Sequence, residues 1–83
     1  MPIEVNKMYT SKGKEVRNLD AKRIGAKLKE LRGSRSQKEV AEAVNVTDMA
    51  ISLYESGDRI PRDEVKIALA EYFGVSVESI FYT

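Results

Sequence analysis

The chain has 83 residues, no cysteine, no histidine and a formal net charge of +1. A chain of that length buries roughly 60–65% of its unfolded surface, which makes one modest core and leaves little for a separate catalytic or ligand-binding domain. Without cysteine there is no disulfide framework or thiolate metal site, and without histidine the commonest general base and metal ligand is missing.

Residues 1–19 scatter Ile3, Val5, Met8, Tyr9 and Val16 through a polar, basic segment around Ser11-Lys12-Gly13-Lys14. A hairpin with a glycine turn, an arm and a disordered segment all fit that pattern. The stretch MPIEVNKMYTSKGKEV has no apolar run of signal-peptide length. Nothing in the chain approaches the ~18 apolar residues of a membrane span, so a cytoplasmic protein without a membrane partner is expected. The net charge hides an asymmetry. Residues 1–35 carry ten Lys/Arg against four acids, and residues 36–83 carry four against nine. A basic face that meets a polyanion would produce this split, and so would a solvated surface with a chance imbalance.

From residue 20 onward, helical patterns end at residues that tolerate positive φ: Gly33, Asn45, Gly57 and Gly74. Asp20 is the expected N-cap of the first helix, whose apolar stripe is Ile24, Leu28 and Leu31. Ser36-Gln37-Lys38-Glu39 opens the second as a capping box, with the Ser36 hydroxyl and the Glu39 carboxylate exchanging bonds with each other's backbone N–H. Its stripe is Val40, Ala41 and Val44. Thr47 is the expected N-cap of the third helix, which turns Ile51 and Tyr54 inward. Pro61 sits just ahead of the fourth, Asp63 and Glu64 lie on its positive end, and Val65, Ala68, Leu69, Tyr72 and Phe73 form its buried stripe. Ser76 can cap a last short helix carrying Ile80 and Phe81. These two residues, with Tyr82, are too apolar for a loose tail, so they either fold back on the core or form a dimer seam.

Gln37 to Ser56 holds the diagnostic arrangement. Two short helices that cross sharply need a small residue at the crossing, a left-handed residue in the turn and apolar residues one turn apart on the second helix. Ala41, Asn45, and Ile51 with Tyr54 meet those needs, and Val44 and Val46 close the turn. This is the helix-turn-helix pattern, which places its second helix in the major groove.

With these residues the sequence resembles the phage Cro and repressor type of helix-turn-helix domain, the XRE family. The resemblance runs over residues 20–82 and rests on Arg32, on Ser36 to Ala41, on Ile51 to Gly57, on Arg59-Ile60-Pro61 and on Phe73 to Ser76. One departure is the connection Gly33-Ser34-Arg35, shorter than is usual in the family. The resemblance implies an all-α, compact four- to five-helix bundle of the lambda-repressor-like type over 20–83, with the basic extension 1–19 as a separate arm or hairpin. It implies phosphate contacts from Gln37, Lys38, Arg59 and Arg62. It implies base-facing roles for Thr47, Asp48, Met49, Ser52 and Leu53, and an architectural pair between Arg32 and Glu55. Lys7, Lys12, Lys14 and Arg17 correspond to arms that enter a groove in other helix-turn-helix proteins. The implied partners are double-stranded DNA and a second copy, paired through Val75–Tyr82. No metal, cofactor or small-molecule ligand is expected.

The chemistry of the base-facing positions argues for a small direct readout. The commonest base contacts come from Arg, Lys, Asn and Gln, and none stands there. Asp48 can accept from a cytosine amino group but is repelled by phosphates. Met49 and Leu53 can touch thymine methyls, and Ser52 discriminates little. Two functions therefore stay open: a sequence-specific transcriptional repressor, and a protein-interaction module on the same fold, such as an antitoxin, antirepressor or docking subunit. No Gly-rich phosphate loop, metal-ligand cluster or nucleophile–base arrangement points to an enzyme.

Overall fold

Four residues with positive φ divide the chain into helices: Gly33 (60°), Asn45 (60°), Gly57 (83°) and Gly74 (71°). The computed structural model describes residues 21–82. Asp20, the basic residues Lys7, Lys12, Lys14 and Arg17, and the expected boundary at 19–20 lie outside them. The described residues form five helices and no strand: α1 (21–32), α2 (Gln37–Ala43), α3 (Asp48–Ser56), α4 (Asp63–Phe73) and α5 (Val77–Phe81).

Each short helix begins and ends for a local reason. Ser36, Thr47 and Ser76 all have extended backbones, and each hydroxyl accepts from the N–H three residues on: Glu39 at 3.0 Å, Ala50 at 3.0 Å and Ser79 at 3.1 Å. The capping box at Ser36 is half of what the sequence suggests, because the Glu39 side chain stays in solvent and does not return the bond. Asn45 closes α2 with two backbone bonds, Asn45 N–H to Glu42 O and Val46 N–H to Ala41 O. This closure needs a left-handed residue, and Asn is the non-glycine residue that adopts that conformation most readily. It reverses the chain within four residues and sets α3 against α2.

All five helices feed one core. Ile24 and Leu28 of α1 meet Val40, Ala41 and Val44 of α2, then Ala50, Ile51 and Tyr54 of α3, with Leu69 and Ala70 of α4 beneath. Val65, Ala68, Tyr72 and Phe73 are less buried than their periodicity suggests and pack against the edge, while Ala70 takes a central place that the expected stripe omitted. Ile80 and Phe81 fold back and are almost fully buried, so α5 spends its two largest apolar side chains inside its own subunit. Tyr82 remains outside, with its hydroxyl 3.0 Å from Lys66 Nζ.

α1 crosses α3 at Gly25. A Cβ added there would overlap the carbonyl oxygen of Glu55 and stand 2.6 Å from that of Tyr54. The two backbones therefore touch, and that contact fixes the depth at which α3 sits in the bundle.

Candidate nucleic-acid interface

α3 is divided lengthwise by its own residues. Ala50, Ile51 and Tyr54 are buried, while Asp48, Met49 and Ser52 face solvent, with Met49 at 69% exposure. Leu53 is half-buried at the border between these faces, and its carbonyl accepts from the Asp58 and Arg59 N–H groups. Thr47 is exposed but has one oxygen lone pair committed to the helix cap. The Asp48 carboxylate lies in the first turn of α3, where the helix dipole favours negative charge. That placement explains an acid at this position without any ligand.

The cationic side chains implicated around α3 come from two places. Lys38 is exposed in the first turn of α2. Arg59 and Arg62 are exposed on the connection to α4, which is held by the bonds to Leu53 O and by a 2.7 Å bond between Ser56 Oγ and Asp58. Arg62 stands at the N-cap of α4 with no side-chain cap, beside the turn residues Val44, Asn45 and Val46 across a groove of about 360 Å³.

Gln37 takes a position that its sequence context did not disclose. Its Nε2 donates to Glu55 Oε1 at 3.0 Å. The same carboxylate takes a two-pronged pair from Arg32, Nε to Oε2 at 2.6 Å and Nη2 to Oε1 at 3.0 Å. Arg32 Nη1 then donates to the Arg35 carbonyl at 2.7 Å. Arg35 directs its guanidinium the other way, over the rings of Tyr72 (5.2 Å) and Phe73 (5.5 Å), so it pins the α1–α2 connection to α4. Arg32 and Arg35 are thus held by the fold, and Lys22 Nζ also donates to the Ser56 carbonyl at 3.3 Å.

Burial pushes the Glu55 carboxyl up, but the hydrogen bonds from Arg32 and Gln37, with the charges of Arg32 and Lys29, outweigh it and hold it below its ordinary value of 4.5. A carboxyl lowered in the native state stabilises the fold above its unfolded value, and that contribution disappears as pH falls through the native value. The contribution of Glu55 to stability should therefore hold from neutral pH to about 4.5 and decline below it. Thermal melts across the acid range should show a shallower decline for Glu55→Gln than for wild type, and an identical decline would remove Glu55 from the account.

The model for the helix-turn-helix family matches residues 28–80, well over half of the chain. No curated protein and no solved structure gives a match. No helix among the described residues is long and apolar enough to cross a membrane. The match begins within α1 and runs into α5, enclosing the turn at Asn45 and the outward face of α3, and so the chain belongs to the Cro/C1-type, or XRE, family of DNA-binding helix-turn-helix regulators.

Proposed function

We propose that this protein is a sequence-specific transcriptional repressor that seats α3, led by Thr47, in the major groove and occupies its operator as a dimer. The observation that carries the reading is the outward face of α3. The side chains of Asp48, Met49 and Ser52 are exposed and hold no hydrogen bond or ion pair among the described residues, at the end of the helix that a family member directs toward base edges. Gln37, Lys38, Arg59 and Arg62 supply phosphate contacts on either side, and Lys7, Lys12, Lys14 and Arg17 add electrostatic affinity from the N-terminal segment. Leu53, half-buried, contributes only the edge of its side chain. With one good base contact worth about 1–3 kcal/mol, most affinity comes from phosphates, DNA shape and two-fold doubling. The dimer forms on the α4–α5 side around Val75–Tyr82. Because Ile80 and Phe81 are inside the core, its apolar contacts come from the exposed Ile67 and Tyr82.

Selection of bound duplexes from a random pool tests this directly. The expected product is a palindromic motif with half-sites about one helical turn (~34 Å) apart. Replacing Asp48, Met49 and Ser52 together by alanine should erase the motif and leave salt-sensitive, non-specific binding in place. Absence of salt-sensitive binding to any duplex would sink the reading.

The exposed Met49 thioether beside the Asp48 carboxylate favours one other reading, in which this face docks a protein. It gains if the triple substitution leaves DNA affinity and sequence preference untouched.

A further inference from the structure

We infer that Glu55 is a positioning residue for DNA binding: through its bond to the Gln37 amide it fixes how the first side chain of α2 meets a DNA phosphate. The inference rests on the DNA-binding reading above, and it concerns a carboxylate that does not itself touch DNA.

A glutamine amide is nearly symmetric in shape, yet its two ends are chemically opposite. Only the NH2 end can donate to a phosphate oxygen, and the carbonyl end is repelled by it. An ionised carboxylate accepts and never donates, so the 3.0 Å bond to Glu55 Oε1 fixes which way the Gln37 amide faces. One amide hydrogen goes to Glu55 and the second remains for a phosphate. Gln37 is half-buried and its rotamer freedom is surrendered on folding, before any DNA arrives, which lowers the ordering cost of binding.

Glu55 is held just as firmly. Arg32 grips both of its oxygens, and Arg32 is in turn tied to the carbonyl of Arg35. The bonds run from α1, through the 33–36 connection and α3, to the start of α2. Arg32 also neutralises the carboxylate, so the device adds no net repulsion toward a polyanion. An architectural pair needs only Arg32 and Glu55. The third bond, to the residue that leads α2, is what a purely architectural role leaves unused.

Phosphate contacts carry no sequence information, so a labelled random-sequence duplex is a sufficient probe. The variants are Gln37→Ala, the pair replacement Arg32→Met with Glu55→Leu, and all three together. Replacing both ions preserves net charge and strands neither partner. Fluorescence anisotropy should show a loss of roughly tenfold to a hundredfold for Gln37→Ala, the scale of one hydrogen bond to a charged group. The pair replacement should cost a similar factor in the wild-type background and almost nothing once Gln37 is alanine. An equal factor in both backgrounds would overturn the inference and leave the DNA reading standing. Absence of salt-sensitive binding by the wild type would overturn both. If the pair replacement fails to fold, the wild type still decides. The Gln37 side-chain amide resonances should be displaced from those of free glutamine, and coincidence with free glutamine would overturn the inference.

Discussion

Replacing Arg32 alone by alanine should lower the unfolding free energy by about 3–5 kcal/mol, the loss that follows when one partner of a buried ion pair is removed. The Glu55 side chain is 7% exposed and that of Arg32 16%, so little water reaches the pair to compensate either charge. The variant would leave a carboxylate among α1, α2 and α3, with Gln37 its remaining side-chain donor among the described residues. At ~0.05–0.15 kcal/mol per residue, a chain of this length has only about 4–12 kcal/mol of stability, so Arg32→Ala should lose a large share of it and melt well below wild type. Arg32→Met with Glu55→Leu should retain most of the wild-type stability, because it removes the cost of burying charge along with the attraction. Urea unfolding of the three proteins measures both values. A loss below about 1 kcal/mol for Arg32→Ala would mean that the pair behaves as a solvated surface contact.

What the sequence disclosed follows the range of the forces involved. Caps and closures act over three to five residues, and Ser36, Thr47, Ser76, Asn45 and the three positive-φ glycines all stand where local pattern places them. The Arg32–Glu55 pair spans 23 residues, and only family resemblance suggested it. The third member of that network, Gln37, was assigned to phosphate alone, because a glutamine at a helix start carries no sign of a bond to a residue 18 positions away. Arg35 looked like one more charge in a basic half, and stacking on Tyr72 and Phe73 is a property of the folded chain. The choice left open for Ile80 and Phe81 depended on whether the core had room for them, which hydrophobic periodicity does not encode. The outward face of α3 is the opposite case. Its exposure was legible, and its specificity is not, because Asp48, Met49 and Ser52 are residue types with weak base preferences.

Gly25 was the least legible residue and carries the second large effect. Glycine inside a helix normally reads as a weakness, and its replacement by alanine at an exposed helical site gains up to ~1 kcal/mol. Here the sign reverses. The new Cβ would meet the carbonyl oxygens of Tyr54 and Glu55, and these are backbone atoms that cannot swing aside as a side-chain tip can. α1 must move away from α3, and the movement loosens Ile24 and Leu28 in the core and strains the Arg32–Glu55 pair farther along the same helix. Overpacking costs typically 1–3 kcal/mol, and a rigid backbone obstacle places Gly25→Ala at about 3 kcal/mol or beyond. For a domain of this size that lowers the melting temperature by roughly 12–24 °C. The neighbouring Ala26 is exposed and supplies the control, since Ala26→Gly should cost only the helical propensity of about 1 kcal/mol. Thermal melts of the two variants should therefore rank Gly25→Ala well below Ala26→Gly, although propensity alone ranks them the other way. A Gly25→Ala protein as stable as wild type would mean that α1 and α3 do not touch through their backbones, and the depth of α3 would then need another cause.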